Sequence, residues 1–295
     1  GWIPVNFKTT GVVSLSSLPT DPINASSSNL YYTYVSGGSF ELTAAFESSK
    51  FKLGGDKDTV STDGGSYPDL YEVGSNLSLA PLDYGDASLV GYWPLNEGTG
   101  TIAYDRSGKG NNGTWSGTST PHYATSNGKT VGYFNGVNDY VNVGSLGLSG
   151  NVGTVSFWQK AYSLNDFAAT IDSSFGGGVT TVRFYIGYYY SGDPYFRVFV
   201  GDGINAESFS FFRTPPLNIW EHYVVVLNGS TLKVFLNGFL LDSTKTVTRT
   251  LALGNYRFGS SLGGSRFFNG LIDDIRIYNR ALSASEISAL YNAAK

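Results

Sequence analysis

Apolar and polar side chains alternate with a period of two in segment after segment of this chain, the signature of half-buried strands. Phe40, Leu42, Ala44 and Phe46 share one face of the segment Phe40–Glu47, which follows the strand Leu30–Val35 across a Gly37-Gly38 turn. After a loop, a short strand runs from Leu70 to Val73. Further on, Val182, Phe184 and Ile186 face one side, opposed by Phe196, Val198 and Val200 across the turn Ser191–Pro194. Asn237-Gly238 lies between Lys233–Leu236 and Phe239–Leu241, the strongest short-range hairpin signal in the chain. A last strand, Leu271–Tyr278, sets Ile275 and Ile277 on one face and Asp274, Arg276 and Tyr278 on the other. Strict alternation puts the neighbouring Asp273 and Asp274 on opposite faces. The period then changes to a helical one. Ser283 and Glu286 form a capping box, and Leu282, Ile287, Leu290 and Tyr291 make an apolar stripe. The pattern predicts an all-β antiparallel sandwich, two sheets sharing a core about 10 Å thick, closed by one short C-terminal helix.

Composition agrees with that picture. Of 295 residues, 41% are hydrophobic and 14% charged, enough to bury a core and unlike a disordered chain. The 38 glycines, 21 tyrosines and 19 phenylalanines suit strands joined by tight turns. A net charge of −4 offers no footprint for nucleic acid or an anionic membrane. The chain has no cysteine, which removes disulfides, thiolate nucleophiles and thiolate metal sites together. It has no methionine, and Gly1 in first place predicts a removed leader or a trimmed chain. No apolar run approaches the roughly 20 residues of a membrane helix.

Two stretches carry resemblances. SLPTDPIN, YYTYVSGGSFELTAAFES and YPDLYEVGSNLSL, in that order between Leu15 and Leu79, resemble the C-terminal half of a type IV pilin-like globular head. That family begins with a long apolar helix, absent here. The resemblance therefore implies either an omitted helix or a separate short apolar helical subunit packing near Gly1. From Ser88 onward, SLVGYWPLNEGTGTIAYDRSGKGNNGTW, VGYFNGVNDYVNVG, TVSFWQKAY and NIWEHYVVVLNGSTLKVFLNGFLLDS resemble a laminin-G-like, concanavalin A-like jelly roll, with FNGLIDDIRIYNRALSASEISALYNAAK as its end. The expected organisation is a pilin-like head fragment over 1–82, a linker over 83–87 and the sandwich over 88–295.

Candidate chemistry is sparse. The loop from Asp105 to Gly113 combines a carboxylate, Asn111 and glycine-permitted turns, the kind of oxygen-rich set a Ca²⁺ ion uses. The laminin-G-like resemblance implies one calcium where the first loop meets the last strand, which singles out Asp105 and Asp274, with Asn111 and Asp139 as further ligands. The competing reading is an Asx-turn loop with solvated carboxylates. Asp56, Asp58 and Asp63 lack the closing Glu of an EF-hand. Tyr188, Tyr189 and Tyr190, leading into a polar turn, are candidates for stacking on a glycan, although alternation buries at least one of them. Trp93, Trp115, Trp158 and Trp220 fall in strand-like segments and read as core or rim. Gly259–Gly263 fits G-x-S-x-G, but no helix follows it, and His122 and His222 both precede the motif serine, Ser261. No strand offers carboxylates at i, i+2 spacing for glycoside hydrolysis. Asn24, Asn76, Asn112 and Asn228 head N-x-S/T sequons, which matter only where the source glycosylates asparagine.

The expected function is that of an extracellular filament subunit, not an enzyme. It assembles with identical subunits and displays the sandwich for adhesion to a glycan or surface protein. The alternative is a carbohydrate-binding module of a secreted glycan-degrading system; a third is a structural coat without a ligand.

Overall fold

The computed structural model describes residues 32–36, 40–44, 50–51, 55–59, 71–74, 86–146, 150–164, 168–173, 184–190, 194–211, 213, 215–251, 254–261 and 266–293. The chain divides into two compact units, residues 1–80 and 81–295. In the first, β1 (Tyr32–Ser36), β2 (Phe40–Ala44) and β3 (Tyr71–Gly74) form an antiparallel sheet in that order. The pairing Ser36↔Phe40 closes a hairpin over the Gly37-Gly38 turn. Most of the pilin-like motifs lie outside the described residues, as does Asp63.

The second unit opens with β4 (Leu89–Trp93), β5 (Ile102–Ala103), β6 (Gly113–Ser116), β7 (Tyr123–Ser126), β8 (Lys129–Asn135) and β9 (Tyr140–Ser145). It continues through β10 (Val152–Ala161), β11 (Ala169–Asp172), β12 (Phe184–Tyr190), β13 (Pro194–Gly201) and β14 (Ala206–Phe211). It ends with β15 (Glu221–Asn228), β16 (Thr231–Leu236), β17 (Phe239–Leu240), β18 (Lys245–Thr246), β19 (Asn255–Phe258), β20 (Asn269–Tyr278) and the helix α1 (Ala284–Ala293). One sheet runs β17-β16-β15-β10-β20-β8-β7, with β4 also on β20 and β18 on β16. The other runs β14-β13-β12-β11-β19-β9-β6-β5. The result is the all-β antiparallel jelly roll that the alternation predicts.

Aromatic rings join the sheets. Trp93 of β4 meets Phe258 of β19 edge-on at 5.0 Å between ring centroids. Tyr223 of β15 stacks on Phe196 of β13 at 4.4 Å, and Trp115 of β6 lies 4.8 Å from Phe134 of β8. Trp93, Phe134, Phe196, Tyr223 and Phe258 are all fully buried. Large apolar area removed from water and complementary ring geometry both favour this closure. Gly259 is required beside it: its φ is +80°, and a Cβ there would stand 2.1 Å from the Phe134 ring. Asn237 (φ 51°) and Gly238 (φ 84°) make the two-residue hairpin turn foreseen between β16 and β17.

The helix docks on the outer face of the nine-stranded sheet. Its capping box is formed: Glu286 N–H donates to Ser283 Oγ, and Ser283 N–H donates to Glu286 Oε2 at 2.6 Å. Ile287 and Leu290 are buried, and Tyr291 stacks on Trp158 at 5.7 Å. Arg280 holds this end to the start of the sandwich, pairing with Asp86 at 2.8 Å and Glu286 at 2.7 Å. Among the described residues no helix is long and apolar enough to cross a membrane.

Replacing Phe258 with Ala is expected to lower stability in chemical denaturation by about 3–5 kcal/mol, through lost transfer energy plus a cavity. Ser283→Ala removes only a cap and is expected to cost about 1 kcal/mol.

Candidate functional site

The site begins with a counting problem in β20. Ile272 and Ile275 are both in the core, with two aspartates between them. An unbroken strand would turn one isoleucine outward. The pairing with β10 shows the solution: Trp158 faces Asp273 and Ser156 faces Arg276, so Asp274 and Ile275 together face the single residue Phe157. This is a β-bulge, with Asp274 in the left-handed region at φ 50°. Aspartate tolerates that conformation better than most residues. The bulge corrects the expectation from strict alternation: both aspartates line the same cleft on the outer face of the nine-stranded sheet.

A change of partner opens the cleft. On the side of β20 away from β10, residues 269–272 pair with β8 and residues 275–278 pair with β4. Asp273 and Asp274 sit where one neighbour ends and the other begins. The cleft holds about 410 Å³ and is lined by Tyr92, Asn96, Lys129, Thr130, Asp273 and Asp274, with Pro94 completing it. Tyr92 O–H donates to Asp274 Oδ1 at 2.8 Å. The Arg276 guanidinium lies over the Tyr92 ring at 4.1 Å, with Nη1 3.5 Å from the same carboxylate oxygen. Asp274 N–H donates to Asp273 Oδ1 at 3.0 Å. Burial, reinforced by the charge of Asp274, pushes the Asp273 carboxyl up to about 7, against smaller opposing pulls from the Asp274 amide, Lys129 and Arg276.

Of the four calcium ligands expected, only Asp274 reaches this cleft. Asp105 and Asn111 do come together: Asp105 Oδ1 accepts from Tyr92 N–H and Ser107 N–H, and Oδ2 accepts from Asn111 N–H at 2.8 Å. The Asn111 carboxamide donates to Val90 O, and the main-chain carbonyl of Asn111 accepts from Trp93 Nε1. Asp105 therefore holds the backbone amide of Tyr92, whereas Asp274 holds the hydroxyl of the same residue; the two are not brought into one cluster. Asp139 is elsewhere and fully buried, accepting from the backbone amides of Thr118, Ser119 and Asn135. Among the described residues no three His, Asp or Glu side chains gather as a metal site. Tyr188, Tyr189 and Tyr190 lie on β12 opposite Phe196, Tyr195 and Pro194, and their side chains are outside the described residues.

The motif serine, Ser261, is buried, and its main-chain carbonyl accepts from the Ser260 hydroxyl and from Arg257 Nη1. His222 is buried with Nε2 2.8 Å from Ser156 Oγ, and burial pushes its imidazole down to about 3, which keeps it neutral. The cleft residues that pattern reading missed are Tyr92, Asn96, Lys129 and Thr130, together with the joint orientation of Asp273 and Asp274. The available signal was Ile-Asp-Asp-Ile itself: only a bulge keeps both isoleucines buried.

Because Asp273 is raised from 3.8 to about 7 in the fold, its contribution to stability is fully present below pH 4 and is lost as pH rises through 7. Wild type is therefore expected to lose stability relative to Asp273→Asn between about pH 4 and pH 7, with a constant difference above that range. Parallel denaturation series at four or five pH values measure this, and a pH-independent difference would refute it.

Residues 135–288 match the family model of the concanavalin A-like lectin/glucanases superfamily, Laminin_G_3. Domain 4 of AbnA, a GH43 extracellular arabinanase from Geobacillus stearothermophilus solved with arabinotriose, aligns over 69% of this chain and 98% of its own, at 20% identity and TM-score 0.54. The binding domain of Paraclostridial Mosquitocidal Protein 1 aligns over 70% of this chain and 52% of its own, at 22% identity and TM-score 0.52. At these identities the likeness is one of fold. Usherin of Rattus norvegicus is 28% identical over 123 residues, 34% of this chain and 2% of usherin's length. The match spans more than half of the sequence, and the chain belongs to the concanavalin A-like lectin/glucanases superfamily.

Proposed function

We propose that the sandwich is a carbohydrate-binding module acting outside the cell. The observation that carries this reading is the cleft at the β20 bulge. It presents carboxylate acceptors, the Asn96 amide, the Lys129 ammonium and the Thr130 hydroxyl within one 410 Å³ recess. Sugar hydroxyls both donate and accept, so a recess mixing anionic acceptors with amide and ammonium donors suits them. The arabinotriose complex and extracellular setting of the AbnA domain support the same reading. The filament reading rests on the pilin-like motifs of residues 15–79, and the cleft makes no use of them.

Calcium belongs to the proposal in a revised place. Two adjacent carboxylates, one held partly out of water, form an anionic pair that a hard cation would stabilise. Asp273 and Asp274 would hold it, with the Asn96 side-chain oxygen as a third donor. Bound there, the ion would favour ionised Asp273 and could orient sugar hydroxyls.

One observation favours a second reading. Burial and the charge of Asp274 push the Asp273 carboxyl up to about 7, a value that suits a proton donor to a glycosidic oxygen.

Titration of arabinotriose into the whole chain is expected to show binding that Asp274→Asn weakens about ten-fold, since a charged acceptor is lost. Asn keeps the left-handed backbone, so folding is preserved. Unchanged affinity in that variant would remove the cleft from the reading, and released arabinose would favour hydrolysis. Calcium chloride at pH 7.5 is expected to raise the melting temperature of wild type and leave Asp273→Asn unmoved; equal responses would sink the metal proposal.

A further inference from the structure

The outer face of the eight-stranded sheet carries a second polar surface, on the opposite side of the sandwich from the cleft. Cross-strand pairing lines up Tyr185, Asp172, Arg257, Asn142 and Thr114 in one row over β12, β11, β19, β9 and β6. Their neighbours in sequence, such as Ile186, Ile171, Phe258 and Val141, point into the core, so the row points out. Exposure rises along it. Tyr185 and Asp172 are buried, Arg257 is half-buried, and Asn142 and Thr114 are exposed. The row therefore runs from a closed floor to an open shelf.

Arg257 is the unusual member. Its guanidinium lies over the Tyr140 ring, 3.9 Å from the centroid. Among the described residues its one hydrogen bond runs from Nη1 to Ser261 O at 3.1 Å. Nε is buried without a hydrogen-bond partner, and among the described residues the side chain makes no ion pair. Asp172, paired with it in register, contributes a favourable field without reaching ion-pair distance. Burial is the larger influence and pulls the guanidinium below its ordinary value. A half-desolvated cation with one neutral acceptor is costly, and an incoming carboxylate would offset that cost. Beside it, the Asn142 carboxamide and Thr114 hydroxyl make no hydrogen bond among the described residues and are exposed. The shelf thus offers a fixed positive charge and two uncommitted polar groups at strand spacing, about 5 Å apart.

We infer that this shelf binds a carboxylate-bearing saccharide, with Arg257 taking the carboxylate and Asn142 and Thr114 taking ring hydroxyls. Tyr140 holds the guanidinium plane in place and acts as a positioning residue. The inference rests on the reading of the sandwich as a glycan-binding module but uses none of the cleft residues. It adds a ligand class, acidic sugars, that the acidic cleft would disfavour by charge.

The test uses the whole chain and two probes with one skeleton: trigalacturonic acid and its methyl ester, titrated calorimetrically at low salt. The acid is expected to bind and the ester to bind at least about ten-fold more weakly, since the charge-assisted contact is lost. Arg257→Gln should remove that preference while leaving arabinotriose binding unchanged. Asn142→Ala, at an exposed position that cannot disturb folding, should weaken the acid about three-fold. Asp274→Asn should leave the acid's affinity as it is. Equal binding of acid and ester, or a preference that survives Arg257→Gln, overturns the inference. So does loss of acid binding in Asp274→Asn, which would move the acid to the cleft. Arabinotriose binding without acid binding overturns the shelf and keeps the module; binding of neither overturns both.

Discussion

Two buried isoleucines separated by two aspartates leave β20 one residue too long for a flat strand. Much of the molecule follows from how that excess is absorbed. The bulge lets Ile272, Ile275 and Ile277 all remain in the core, where burying each contributes roughly 1.5–3 kcal/mol. β20 is also the strand on which the nine-stranded sheet hangs: β10 pairs along one side, and β8 and β4 share the other. The extra residue falls where β8 gives way to β4. The cleft is therefore a by-product of keeping the core sealed, and the carboxylates it displays are the residues that could not go inside.

The sandwich can hold such a feature because its two sheets are joined by stiff aromatic contacts rather than by loops. Trp93 on Phe258 and Tyr223 on Phe196 bridge the layers at two separate pairs of strands. Strands fixed in this way place outward side chains at regular spacing on both faces. The cleft on one face and the Arg257 row on the other are then positioned by backbone pairing, at little cost in side-chain order. Their charges differ in kind: two adjacent carboxylates on one side, a stacked guanidinium on the other. The sandwich thus presents two chemically distinct surfaces.

Two of the carboxylates expected as metal ligands, Asp105 and Asp139, hold main-chain amides. Asp105 and Asp139 each gather three main-chain amides, and through them the loops around residues 105–111 and 117–139 are held. Loops running over a β-sandwich leave amides unpaired, and a buried carboxylate satisfies several at once. Oxygen-rich, glycine-rich loop sequence is common to both roles. What separates them is whether the oxygens face inward to amides or outward to an ion, and composition does not encode that direction.

Period-two alternation, the Asn237-Gly238 turn and the Ser283–Glu286 cap determined the fold class, the central hairpin and the terminal helix, because each acts over neighbours a few residues apart. The core positions Ile186, Val198, Ile275 and Ile277 were legible for the same reason. The joint orientation of Asp273 and Asp274 was settled by long-range packing: the demand that both flanking isoleucines be buried overrode local alternation. The partner change from β8 to β4, and with it the cleft, joins residues 92–96, 129–130 and 273–274, which no local pattern connects. The row through Arg257 likewise exists only once β6, β9, β19, β11 and β12 lie side by side. Sequence set the elements and their faces; the tertiary structure chose which polar residues meet, because those meetings depend on strand order and register rather than on neighbours in the chain.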